Sequence, residues 1–359
     1  MEFTMGGRLE VRITPADVGK RVSVRRRSTG GGSGAEFTDT VGVLTSWNDG
    51  VVAITRKSGE SVRILESSLV AGKVVPAAPA RRRGPAASFA ELAAVTARAW
   101  QPVESEPLGA WRLRAAGGFT RRANSVLPLG DPGLPLGEAF ERIEQWYGER
   151  GLPPYIQTAT GAEGTQETLC AELERHGWRR EVSAEVRIAA LAPVGDLDAD
   201  VSAVRLTREP DAAWLSRYQR FSTPGPHVLR VLGSGPSVWF ATVAGGGSGA
   251  DTGEVSGDSA GEASGAGAGA GSGGGEPPAA IGRCVVDGRW AGFMAVEVAP
   301  EHRRRGLATA VMAALARRAL DEGASAAWLQ VEEDNEGARA LYDGMGFAPH
   351  HRYHHFRPA

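Results

Sequence analysis

The chain has 359 residues, 42% of them hydrophobic, with a formal net charge of −2. At roughly 100–200 residues per domain, that length implies two or three domains with ordinary cores. The near-neutral balance disfavours nucleic acid or an anionic membrane as the main partner, no stretch reaches the roughly 18 apolar residues of a spanning helix, and two cysteines, Cys170 and Cys284, are too few for a disulfide framework.

The first residues, MEFTMGGRLEVRI, lack the apolar run of a secretion signal, so a cytoplasmic location is expected. Residues 8–75 then read as closely spaced short strands: Arg21–Arg27, Thr40–Ser46, Val51–Thr55 and Ser61–Ile64. Turn signals at Gly30–Gly32, Asn48-Asp49-Gly50 and Ser58-Gly59-Glu60 separate them, which suggests a small SH3-like β-barrel. Arg25–Arg27, Lys57 and Trp47 give that unit only a weak nucleic-acid signal. Residues 76–86, PAAPARRRGPA, have linker composition.

Residues 87–195 alternate helix and strand, the pattern of an α/β unit. Helices are expected at Phe89–Trp100, Leu136–Arg150 and Thr168–His176, the second with Phe140, Ile143, Trp146 and Tyr147 on one stripe. Strands are expected in Trp111–Leu129, around the loop GGFTRR, at Pro154–Thr158 and at Glu181–Ala190. Residues 200–359 resume a similar order, with a helix over Pro210–Phe221 and strands at Val238–Val243 and Ile281–Val286. Between those strands, residues 245–278 are almost entirely Gly, Ser, Ala and a few acids. Such a segment cannot bury a core and reads as a disordered insert in a hairpin connection.

The two halves share an order. Gly133-Leu134 follows a strand and precedes a helix, as Gly306-Leu307 does, and Gly177 closes a helix as Gly346 does. Spacings of 173 and 169 residues between the matched glycines point to an internal duplication.

The chemistry concentrates in Phe293–Leu320. A β-prone run, Phe293–Val298, ends at Ala299-Pro300; then come Arg303, Arg304, Arg305, Gly306, Leu307, Ala308 and Thr309, and a helix. Helix N-termini expose backbone N–H groups and carry positive partial charge, which suits phosphate. Three arginines add forked donors. Read from the residues alone, the segment is either a pyrophosphate cradle or an exposed basic helix start. It is not a P-loop, because it has no Lys, nor a dinucleotide fingerprint, because it has one Gly.

Val298-x-Pro300 with Arg303-x-x-Gly306-x-Ala308 resembles motif A of the GNAT acetyltransferases. Leu329–Val331 followed by Asn335, Ala338, Leu341-Tyr342 and Gly346-Phe347 resembles that family's second signature. Over the whole chain, with GFTRRANSVLPLG at residues 118–130, the sequence is similar to a bacterial acetyltransferase architecture with a barrel in front, a degenerate GNAT-like middle at 87–195 and a catalytic GNAT part at 200–359. The resemblance implies an α/β (α+β) mixed sheet with flanking helices, duplicated, and acetyl-CoA as acetyl donor without a metal. It further implies that the backbones of Val296 and Val298 pair with the pantetheine arm and that the N–H groups of Arg304 through Thr309, with the Arg303 side chain, hold the pyrophosphate. Asn335 would bind the arm or a water, and Tyr342 would protonate the leaving thiolate. The base that helps free the amine is Glu297, Glu332, Glu333 or a water chain. His350, His351, His354 and His355 make a weak case for a metal. The middle half keeps neither the arginines nor the tyrosine: Pro132-Gly133-Leu134-Pro135 and Leu173 stand in their places. The implied acceptor is a small-molecule or protein amine, the implied assembly a monomer or homodimer, and the rival reading an acetyl-CoA sensor without turnover.

Overall fold

The computed structural model describes residues 10–27, 37–75, 84–218, 225–245 and 277–359. β1 (Arg21–Arg27), β2 (Phe37–Asn48), β3 (Val51–Thr55), β4 (Ser61–Leu65) and β5 (Leu69–Val74) form one sheet in the order β4-β3-β2-β1-β5. Its core is Val22, Val24, Leu44, Val52, Ile54 and Ile64. Asp49 and Gly50 both take positive φ, 52° and 73°, the tight turn that matches the twist of a hairpin. β5 is an addition to the sequence reading. The Gly30–Gly32 turn and most of the 76–86 linker lie outside the described residues.

The second unit begins with α1 (Phe89–Ala99), capped by Ser88, whose Oγ accepts from the Glu91 N–H at 3.1 Å. There follow β6 (Glu104–Leu108), β7 (Trp111–Ala115), β8 (Leu127–Pro128), α2 (Leu136–Gly148), β9 (Ile156–Thr160), α3 (Glu167–Arg175) and β10 (Trp178–Ala190). Next come α4 (Ala192–Gly195), β11 (Val204–Thr207), α5 (Ala212–Arg217), α6 (Pro226–Leu232), β12 (Ser237–Val243) and β13 (Ala280–Asp287). The chain closes with β14 (Trp290–Val298), α7 (Leu307–Asp321), β15 (Ala326–Glu332), α8 (Glu336–Gly344) and β16 (Ala348–Pro358). The expected stripe of α2 is buried at all four positions. The helix expected over Pro210–Phe221 is shorter: α5 ends before Tyr218, and Phe221 lies outside the described residues. β12 and β13 pair antiparallel from Ser237↔Val286 to Val243↔Ala280, so they are the two arms of a hairpin. The Gly/Ser-rich insert between them falls almost wholly outside the described residues.

The large sheet runs β11-β12-β13-β14-β15-β10-β16-β9, and β6-β7-β8 form a smaller one. β10 and β9, from residues 87–195, are therefore built into one sheet with the strands of residues 200–359. β10 is buried from Ala184 through Ala189, and it gains antiparallel partners on both edges, β15 and β16. α7 covers one face of this sheet, and α1, α5 and α6 cover the other. The loop between β7 and β8 joins the α1 side. Buried Asn124 knits it together, accepting from the N–H groups of Ala116 and Gly118 and donating to the carbonyls of Phe119 and Thr120.

Candidate active site

β14 and β15 are parallel, but their pairing covers only Trp290–Phe293 against Ala326–Leu329. Beyond that the strands part. β14 stays on β13, where the register shifts between Ile281 and Arg283, and Ala295 takes a φ of 52°. The extra residue of this bulge re-phases the strand. Trp290 and Met294 belong to the core on the α1 side; Ala291 and Phe293 belong to the α7 side. After the bulge Ala295 packs on the α1 side, and Val296 and Val298 on the α7 side. Glu297 therefore faces away from α7. β15 alternates without a break, Trp328 toward α1 and Leu329 and Val331 toward α7, so Gln330 and Glu332 share the face of Glu297.

The loop after β14 makes a short 3-10 turn at Pro300–His302 and enters α7 through Gly306. Arg304 and Gly306 are both left-handed, with φ of 65° and 78°. An added Cβ at Gly306 meets nothing within 4 Å, so glycine is required there by backbone angle rather than by space. The helix bond Ala310 N–H to Gly306 O, at 2.9 Å, closes the first turn. Gly306 offers no side-chain cap, so the N–H groups of Leu307, Ala308 and Thr309 point out of the helix end. Arg303, Arg304 and Arg305 are exposed around it. The matching loop of the first half is closed. Ala110 N–H donates to Asp131 O at 2.8 Å, Gly133 N–H to Asp131 Oδ1 at 2.6 Å, and a side chain at Gly109 would run into the Pro132 backbone.

Tyr342 packs in the same apolar cluster as Val296, Val298 and Leu307, so the structure brings the tyrosine to the α7 side of the parted strands. Its ring meets Phe347 edge-on at 6.0 Å, and burial pushes its hydroxyl up to about 12. Asn335 is the N-cap of α8: its Oδ1 accepts from the Ala338 N–H at 3.1 Å. Glu333 is engaged elsewhere, in an ion pair with Arg352, and its N–H donates to Ser183 O.

The four histidines sit on β16, an inner strand. His354 lies between the hydroxyls of Thr160, at 2.9 Å, and Ser183, at 2.7 Å, and His350 contacts the Ala87 carbonyl at 3.0 Å. Burial lowers His351 and His354 to about 3 and His355 well below its ordinary range. Among the described residues no group of three or more His, Cys, Asp or Glu is placed to hold a metal. Cys170 and Cys284 are buried and free, each thiol pushed up to about 12 by burial. Among the described residues no helix is long and apolar enough to cross a membrane.

Sequence reading missed three things here: the bulge at Ala295, and the buried charges Glu185 and Arg187 on β10. Arg187 is 1% exposed and donates to Glu185 Oε2 at 2.8 Å, to the Phe347 carbonyl at 2.9 Å and to Asp343. The one available signal was two charges at alternating positions of an otherwise apolar run, Glu185-Val186-Arg187.

A mixed sheet whose two central parallel strands part beside a basic helix N-terminus is the fold of a GNAT acetyltransferase, a fold that implies acetyl-CoA as donor. The chain belongs to the family described as "Probable histone acetyltransferase Rv0428c C-terminal", whose model matches residues 87–356. Residues 16–73 match "Rv0428c N-terminal Sm-like domain", so the small front unit is Sm-like where the sequence suggested an SH3-like barrel. The chain is 32% identical over 203 residues to the probable histone acetyltransferase Rv0428c of Mycobacterium tuberculosis, covering 56% of this chain and 60% of that protein, less than two thirds of its length. It is 24% identical to the uncharacterized N-acetyltransferase YobR of Bacillus subtilis, over 73% of this chain and 95% of that one. A solved GCN5-related N-acetyltransferase from Kribbella flavida superposes with a TM-score of 0.50 at 14% identity, covering 76% of this chain and 96% of that one.

Proposed function

We propose that this protein transfers an acetyl group from acetyl-CoA to a primary amine. The observation that carries the reading is the parted pair β14 and β15 opening beside the N-terminus of α7. A pantetheine arm is an extended chain of amides. The edge of β14 turned away from β13 has no strand against it at Val296 and Val298 among the described residues and would pair with those amides as a strand would. The first-turn N–H groups, from Arg304 through Thr309, and the side chain of Arg303 would take the pyrophosphate, since anions are stabilised at such ends. With its Oδ1 committed to the cap, Asn335 would present its amide N–H groups to the arm or to a bound water.

In the reaction the neutral amine attacks the thioester carbonyl, the C–S bond breaks, and the sulfur leaves as a thiolate or thiol. Tyr342 sits on the α7 side and holds its proton at every physiological pH, so it is our acid for the sulfur. Glu297 and Glu332 sit on the opposite face, where α5, α6 and the β7–β8 loop gather. That face is our acceptor side, and Glu297, on the strand that parts, is the preferred base for the amine proton, with Glu332 the alternative. The acceptor is a small-molecule or protein amine; the mycobacterial relative, a probable histone acetyltransferase, makes a lysine-rich protein the first to try.

Calorimetric titration of acetyl-CoA into the intact chain and into an Arg303→Ala, Gly306→Glu double variant tests the cradle. Micromolar binding that the double variant loses supports it, and thiol release with an amine panel then separates turnover from sensing. Absence of binding by the intact chain would overturn the enzyme reading.

A further inference from the structure

α8, which carries Tyr342, has nine residues and none of them is fully buried. Apolar packing of Ala338, Leu341 and Tyr342 alone sets its position weakly, yet a proton donor must sit within hydrogen-bond reach of the sulfur. The stronger hold comes from β10, a strand of the first half. Arg187 donates to Asp343, the residue after Tyr342, and to the carbonyl of Phe347, whose own N–H donates to the Tyr342 carbonyl at 3.0 Å. Its third tie, to Glu185, fixes the guanidinium on its own strand. Glu185, 3% exposed, also lies 3.5 Å from Arg339 of α8 and 3.6 Å from Arg352 of β16. A guanidinium fork has a rigid donor geometry, so it fixes orientation as well as distance.

We infer that Arg187, supplied by the half that lacks the cradle, is a positioning residue for Tyr342: with Glu185 it clamps α8 so that the phenol is aimed at the leaving sulfur. The inference rests on the reading of Tyr342 as the acid. It gives the first half a part in the reaction, because the residue that aims the acid comes from the strand that half inserts.

The test is a kinetic cycle on the full chain. Arg187→Lys and Asp343→Asn are each made alone and with Tyr342→Phe, and kcat and the KM for acetyl-CoA are measured. The Asp343 side chain is 63% exposed, so Asp343→Asn keeps the test open should Arg187→Lys fail to fold. With Tyr342 present, each variant is expected to lower kcat roughly 10- to 100-fold, the scale of a misplaced catalytic group. KM should stay within about 2-fold, because ground-state binding is untouched. In the Tyr342→Phe background the same changes should do nothing further, since residues acting as a unit are not additive. An equal loss in both backgrounds, or no loss beside an impaired Tyr342→Phe, overturns the inference and leaves the tyrosine reading standing. Full activity of Tyr342→Phe overturns the tyrosine reading itself.

Discussion

At the scale of single residues, Tyr342 and Glu297 stand on opposite sides of the sheet, and in our proposal the first is the acid for the sulfur and the second the base for the nitrogen. Burial holds the Tyr342 hydroxyl near 12, above the ordinary phenol value. A group with a raised pKa keeps its proton as pH rises, so the acid form is complete through pH 10. Tyr342→Phe is expected to lower kcat about 100-fold or more, the usual worth of a general acid. The intact enzyme should show no alkaline fall of kcat before about pH 11, near that raised value; a falling limb centred near pH 9 would assign the acid to another group. Glu297→Gln should lower kcat more than Glu332→Gln, because Glu297 is carried on the strand that parts. The reverse order, read from steady-state rates at saturating acetyl-CoA, would make Glu332 the base.

At the scale of elements, the N-terminus of α7 depends on a left-handed entry residue. Gly306→Ala has open space for its methyl, so its cost is the backbone strain alone, about 1–2 kcal/mol. The chain should stay folded, with a modest fall in thermal midpoint and weaker acetyl-CoA binding by calorimetry; unchanged binding would show that the entry angle does not shape the cradle. This strand, turn and helix were legible in the sequence because they are local: glycine, arginines and helical spacing lie within Phe293–Leu320. The bulge was not legible, since Ala295 is an ordinary residue whose positive φ is imposed by β13. Three strands escaped: β11 has only four residues, and the other two have their own reasons. β6 carries charges and Pro107, tolerated because β6 pairs with β7 alone, and β5 is interrupted by Gly72. The insertion of β10 between β15 and β16 is a pairing across about 150 residues, and a strand's own pattern does not name its partner.

At the scale of the molecule, the sheet that joins the 87–195 and 200–359 segments is also where its sensitivity to acid is expected to lie. His351 and His354 are buried on β16 with values near 3, depressed mainly by burial, and burial holds His355 beside them well below its ordinary range. His354 lies against the front unit as well, since a side chain at Gly59 would come within 2.8 Å of its Nε2. Unfolding returns each ring to water and to a value near 6.5. Below that pH the unfolded chain binds protons that the folded chain refuses. The stability contributed by neutral burial is thus complete above about pH 6.5 and is lost as pH falls toward 3, at up to about 1.4 kcal/mol per pH unit for each histidine. Chemical denaturation at fixed temperature should therefore show a stability flat from pH 8 to 7 and falling progressively from 6 to 4. His354→Gln, which keeps a polar group between Thr160 and Ser183 but does not titrate, should be less stable at pH 8 and show a shallower acid slope. An unchanged slope in that variant would place the acid sensitivity in the carboxylates, whose paired members Glu91, Glu104 and Glu181 are held below their ordinary range and lose their stabilisation only at still lower pH. The two sources separate by where the slope begins: histidines near pH 6.5, depressed carboxylates below about 4.5.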